Sequence, residues 1–138
     1  MESDYEITAV DQPAWSVIGG GISQYNEEQA GKDDPKWVCF VVKGPNEDVV
    51  GGIIGATFYE WLHVDLMWVR DDLRGQGYGR RLLALAEEEA RQRGARHAYL
   101  DTFSFQAPGF YEKNGYHVFG ELPDFPPGHQ RYFMTKAL

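Results

Sequence analysis

Arg74-Gly75-Gln76-Gly77-Tyr78-Gly79 places three glycines on alternate positions, and Arg80-Arg81 follow at the start of a run with helical spacing. Glycine lets the backbone come close to a ligand and take φ values that a Cβ forbids. The first N–H groups of a helix are unpaired and carry a partial positive charge. A glycine turn that feeds a helix is therefore suited to hold a phosphate or pyrophosphate, although the same pattern also serves as a plain tight connection. Two familiar phosphate loops do not fit. A P-loop needs Lys-Ser or Lys-Thr after its last glycine, and a dinucleotide fingerprint is spaced G-x-G-x-x-G; this chain has Arg80-Arg81 and G-x-G-x-G. Around the loop stand groups able to move protons: His63 and Asp65 before it, and Tyr111 after it. A histidine with an ordinary pKa of ~6.5 can take a proton at neutral pH, a carboxylate can orient it, and a phenol can give one.

The flanking elements must place these groups. Residues 63–69, His63-Val64-Asp65-Leu66-Met67-Trp68-Val69, are apolar at nearly every position, which predicts a central strand covered on both faces. By the strand period of two, His63 and Asp65 project from one face. After the loop, Leu82, Leu83, Ala86 and Ala90 recur at helical spacing, with Glu87/Arg91 and Glu89/Arg93 expected as outward pairs and Gly94 as the stop. A second strand follows over residues 97–103, so the unit is strand, loop, helix, strand, with the two strands parallel.

The Arg-x-x-Gly-x-Gly core of the loop resembles the acyl-CoA pyrophosphate loop of the GNAT superfamily of N-acyltransferases. Downstream, Ala107-Pro108-Gly109-Phe110-Tyr111-Glu112-Lys113-Asn114-Gly115-Tyr116 resembles the A-x-x-x-Y-x-K-x-G-[FY] segment that closes the cofactor site there. The two motifs stand in the right order with a helix and a strand between them, over roughly residues 63–120. The resemblance implies an α/β fold, a mixed sheet of about seven strands with helices on both faces, in a single domain over residues 1–138. It implies acetyl-CoA as cosubstrate without a metal, held by Arg74, Gly75, Gln76, Gly77, Tyr78, Gly79 and Arg80. Backbone N–H groups of Met67, Trp68 and Val69 polarise the thioester carbonyl, and Tyr111 is the general acid toward sulfur. The base is open among His63, Asp65, which is also an acceptor anchor, Glu60 as a third candidate, and relayed water. Ser104 stands where many members have asparagine, with Gln106 as a substitute amide, so the pantetheine contacts depart from the family pattern.

The remaining composition agrees. A net charge of −8 excludes a nucleic-acid partner of the usual basic kind and suits a cationic one. Residues 70–81 oppose this trend, with Arg70, Arg74, Arg80 and Arg81 against Asp71 and Asp72. No segment approaches a membrane span and the acidic start has no signal-peptide character, so the expected location is cytoplasmic. Cys39, the one cysteine, lies in an apolar strand and is expected to be a buried structural thiol. Residues 5–10 are expected to form a first strand. Asp11-Gln12-Pro13 should open a helix broken at Gly19-Gly20-Gly21, a region that in the family forms a wall of the acceptor pocket. Residues 37–43 and 49–59 read as antiparallel strands, and 115–122 and 129–136 as two closing strands around a proline-rich loop. Two functions fit: transfer of an acetyl group from acetyl-CoA to a primary amine of a small cationic acceptor (an amino-sugar antibiotic, a polyamine or a peptide amine), or an acyl-CoA-binding module without turnover. A homodimer is compatible with either.

Overall fold

A computed structural model of the chain describes residues 4–138, which divide into two compact units after Asp33. The first unit contains one helix, α1 (Trp15–Ala30), and none of its residues is buried. It runs through Gly19, Gly20 and Gly21 without the expected break. A glycine in a helix interior costs about 1 kcal/mol relative to alanine, which weakens a helix without forbidding it. Ala14, and not Asp11, holds the N-cap position, and no side chain caps the helix. Residues 5–10 form no strand, contrary to expectation. Strand propensity alone does not make a strand; a neighbouring edge must take its N–H and C=O groups.

The second unit is a mixed sheet of six strands, in line with the expected count of about seven: β1 (Lys36–Lys43), β2 (Val49–Phe58), β3 (Trp61–Val69), β4 (His97–Phe103), β5 (His117–Pro123) and β6 (Gln130–Ala137). Their order is β1-β2-β3-β4-β6-β5, with helix α2 (Tyr78–Gln92) crossing from β3 to β4 and a short helix α3 (Pro108–Lys113) between β4 and β5. The β3–β4 pair is parallel, as the strand-helix-strand pattern predicts, but it is short. Pairing covers only Trp61/His97, Leu62/Ala98 and His63/Tyr99. Beyond His63, β3 stays with β2 while β4 stays with β6, so the sheet opens between them.

At that point β3 also carries a bulge. Ile54 of β2 pairs with Leu66 and Gly55 with Val64, so Asp65 is skipped. A bulge bends its strand and raises the local twist, which turns the second half of β3 away from β4. The bulge brings the strands so close that a Cβ on Gly55 would collide with the carbonyl oxygen of His63. Burial on β3 alternates and does not run along both faces as expected: Leu62 and Val64 are buried, whereas Leu66 and Trp68 are exposed.

The core lies where α2 packs on the sheet. Leu82, Leu83, Ala86 and Ala90 of α2 meet Val38, Ile53, Leu62, Val64, Ala98, Leu100 and Met134 from the strands. These are the helix positions that the spacing predicted. Cys39 is exposed, because alternation on β1 gives the core side to Val38. Glu89 and Arg93 pair at 3.0 Å as expected, but Arg91 pairs with Glu88. Glu87 is buried instead, accepting from the Tyr116 hydroxyl at 2.8 Å and from Lys136 Nζ at 2.9 Å. The helix face predicted to be wet is thus tied by a carboxylate to α3's following turn and to β6. Glu87→Ala is expected to cost about 2 to 3 kcal/mol, because it leaves a buried hydroxyl and a partly buried ammonium without their acceptor. A urea unfolding curve with an unchanged midpoint would show that this buried triad contributes nothing.

Among the described residues no helix is long and apolar enough to cross a membrane.

Candidate active site

The gap between β3 and β4 is continuous with a cavity of about 790 Å³, walled by the second half of β3, the glycine loop, the start of α2, β4 and α3. Its floor contains Leu100 and Thr102 from the core side of β4, and its wall also takes in Asp65 and Asp101 from the opposite side. The cavity therefore passes through the sheet at the splay. On the β4 side, β3 has no strand partner past His63, so alternate backbone N–H groups of that edge are left for a ligand. Met67, Trp68 and Val69 all line this stretch.

Arg74 organises the loop. Its Nε donates to the Val69 carbonyl at 2.9 Å and its guanidinium pairs with Asp71 at 2.7 Å. Arg70 pairs with Asp72 at 2.6 Å, and Gln76 Nε2 donates to the Asp72 carbonyl at 3.2 Å. Two of the four arginines thus spend their charge within the loop, and Arg81 lies over the Tyr78 ring at 5.9 Å. Arg80 lines the cavity. Gly75 and Gly77 have φ of +77° and +89°, and Gly77 is the residue from which α2 starts, its carbonyl accepting from Arg81 N at 3.1 Å. Nothing stands where a Cβ of Gly75 would go, and only the Arg80 guanidinium, at 3.7 Å, faces that of Gly77. At Gly79 the nearest neighbour is the Phe110 ring at 3.4 Å, so α2 and α3 touch there.

Tyr111 sits on α3 with its ring edge-on to Phe110 and Tyr116, and only 8% of it is exposed. Burial and the charge of Asp101 push its pKa up to about 12, so the phenol holds its proton at neutral pH. Packing and catalysis are compatible here, since the same residue lines the cavity.

The remaining residues singled out from the sequence divide. Asp65, Gln106, Tyr78 and Gly79 line the cavity, whereas His63, Gln76 and Ser104 stand off its wall. His63 is stacked on Tyr99 at 4.5 Å, at the last paired position before the splay. Asp65 is the extra residue of the bulge, so the period of two does not place it; its charge nonetheless reaches Tyr99, which burial first, then Asp101 and Asp65, push toward a higher pKa. Ser104 Oγ accepts from Gln130 N at 3.0 Å, closing β4 against β6. Gln106 Oε1 accepts from Phe103 N at 2.8 Å and from the Thr102 hydroxyl at 3.3 Å. Glu60 lies in the β2–β3 turn with φ of +64°, at the end of β3 away from the loop and off the cavity wall.

Tyr99 and Asp101 were not singled out in the sequence. The alternation of β4, with Ala98, Leu100 and Thr102 buried, places both on the face that carries His63, and that signal was available.

The site is thus a parallel pair that parts over a glycine turn, with a protonated tyrosine on the same cavity. Residues 5–116 match the family model described as the acetyltransferase (GNAT) family. The chain belongs to the GNAT family. It is 43% identical over 96 residues, 69% of this chain and 71% of the relative, to blasticidin-S acetyltransferase of Streptomyces morookaense. The crystal structure of an acetyltransferase from Bacillus cereus ATCC 14579 superposes with a TM-score of 0.89 at 36% identity, covering 97% of this chain and 98% of that one. The crystal structure of nourseothricin acetyltransferase matches with a TM-score of 0.66 at 32% identity, over 76% of this chain and 67% of that one. This GNAT member is accordingly an acetyltransferase, and of the two functions drawn from the sequence the enzyme is the one supported. GNAT acetyltransferases take their acetyl group from acetyl-CoA.

Proposed function

We propose that this enzyme moves the acetyl group of acetyl-CoA directly to a primary amine of a small cationic acceptor. The observation that carries this reading is the make-up of one cavity, whose wall brings together a backbone cradle, Tyr111 and the carboxylates Asp65 and Asp101. The cradle fits a pyrophosphate, since Gly75, Gly77 and the N-terminus of α2 offer backbone N–H groups where side chains would intrude, and Arg80 adds a charge. Acetyl-CoA supplies an activated acyl group as a thioester. Toward it, N–H groups of Met67 to Val69 steady the carbonyl oxygen as it gains charge, and Tyr111 gives its proton to the leaving sulfur. Asp65 meets the incoming ammonium. His63, behind the wall on Tyr99, receives the ammonium proton by way of water or Asp65. The one thiol of the chain, Cys39 on β1, lies off the cavity, which favours direct transfer over an acyl-cysteine route.

An antibiotic amine heads the candidate acceptors, because the blasticidin-S and nourseothricin enzymes are similar to this chain and an acidic wall suits the cationic character proposed for its acceptor. Thiol release from acetyl-CoA should be followed with blasticidin S, a streptothricin, spermidine and a lysine-containing peptide. Release with at least one of them is expected, with kcat/KM lowered in His63→Ala and acetyl-CoA binding kept. Tight acetyl-CoA binding with no amine-dependent release from any of the four would overturn the proposed acceptor class, and an unchanged kcat/KM in His63→Ala would remove His63 from the proton path.

A further inference from the structure

Asp101 is the second carboxylate of the cavity, and a feature on the opposite strand sets it apart from Asp65. Arg131 of β6, paired in register with Phe103, reaches back to Asp101 with Nε at 2.9 Å and Nη2 at 2.7 Å. Both contacts fall on the same oxygen, Oδ1. Oδ2 takes no hydrogen bond among the described residues. The guanidinium is held over three rings, at 5.6 Å from the centre of Phe103, 4.9 Å from Phe125 and 5.3 Å from Phe133. Arg131 does not line the cavity, while Asp101 does. The arginine thus approaches from behind and occupies one side of the carboxylate.

A carboxylate has about four acceptor positions over its two oxygens, so an arginine bound to Oδ1 alone leaves Oδ2 able to accept from a second cation. Cation–π attraction to the three rings favours the guanidinium where it stands, on the Oδ1 side. The pair differs from the side-by-side bridge over both oxygens that arginine often makes with a carboxylate. The two acids also differ in the phenols their charges act on. The charge of Asp101 acts on Tyr111 as well as on Tyr99, whereas that of Asp65 acts on Tyr99.

We infer that Asp101 binds the positive charge of the acceptor through Oδ2, next to the acid Tyr111, and that Arg131 is the positioning residue that fixes its orientation. This rests on the acetyltransfer reading above and names a specificity group for it. The acceptor class follows from the chemistry: an amine whose second cationic or ammonium group sits within reach of the reacting nitrogen, with three N–H donors to offer one free carboxylate oxygen.

The test uses the same four amines, at saturating acetyl-CoA, on wild type, Asp101→Asn, Arg131→Gln and Arg131→Lys. For each amine that the wild type acetylates, Asp101→Asn should raise the acceptor KM about 10- to 100-fold, the scale of one charge-assisted hydrogen bond, with the KM for acetyl-CoA within about twofold. Arg131→Gln should raise the acceptor KM in the same direction and Arg131→Lys should restore part of it, because a lysine still pins Oδ1. An unchanged acceptor KM in Asp101→Asn, with turnover intact, overturns this inference and leaves the acetyltransfer reading standing. No turnover by the wild type with any of the four overturns both. A loss in Arg131→Gln accompanied by a raised KM for acetyl-CoA and a lowered melting temperature, with no recovery in Arg131→Lys, would mean that Arg131 supports the fold and not Asp101.

Discussion

Tyr111→Phe is expected to lower kcat about 10²- to 10⁴-fold while leaving CoA affinity nearly unchanged, which is the usual scale of a general acid. The substitution removes one oxygen and keeps the ring, so the edge-on contacts with Phe110 and Tyr116 survive. The unfolding midpoint should therefore stay close to wild type. Because burial and Asp101 hold this phenol at about 12, it stays protonated through neutral and mildly alkaline solution, and kcat should show no fall there that belongs to Tyr111. The sign follows from the charges: a nearby carboxylate and a dry site both penalise the phenolate, so the proton leaves later than from a free tyrosine. Steady-state rates and CoA titration on the variant decide the matter. An unchanged kcat would mean that the hydroxyl serves packing alone.

Gly77→Val is expected to abolish measurable CoA binding at micromolar concentration while the protein stays folded. Gly77 has φ of +89° at the start of α2, a conformation that a β-branched residue adopts only under strain of roughly 1 to 2 kcal/mol. The added side chain would also stand in the cradle, where only Arg80 now faces it. Relief of the strain moves the first N–H groups of α2, so geometry is lost even where space remains. Calorimetric titration with CoA, paired with circular dichroism to confirm folding, checks this. Wild-type affinity in the variant would remove the glycine loop from the donor site.

Local patterns were legible in the sequence wherever one element carried the whole signal. The glycine loop, the apolar positions of α2, the stop at Gly94, the strand over residues 97–103 and the place of Tyr111 each depend on neighbours within a few residues. The parallel β3–β4 pair was legible for the same reason, as one strand-helix-strand unit. What stayed hidden depends on distant partners. Glu87 reads as one more charge on a wet helix face until Tyr116 and Lys136 arrive from 29 and 49 residues away. Asp101 reads as an ordinary strand residue until Arg131 closes on it from 30 residues away. The three glycines of α1 show the converse, where a local rule with a modest penalty did not decide the outcome.

The bulge on β3 has a meaning for how this site is built. With Asp65 struck out, the sequence Leu62-His63-Val64-Leu66-Met67-Trp68-Val69 alternates without a fault, core-side and outward, against an unbroken β2. Asp65 is in effect a one-letter insertion into a finished strand. The pairing of β2 resumes on either side of it, and at the bulge Gly55 approaches the His63 carbonyl more closely than a Cβ would allow. The side chain carried this way can be exchanged by editing a single codon, with the hydrophobic lettering on either side left as it was, whereas deleting the residue would take away the bulge that turns β3 from β4.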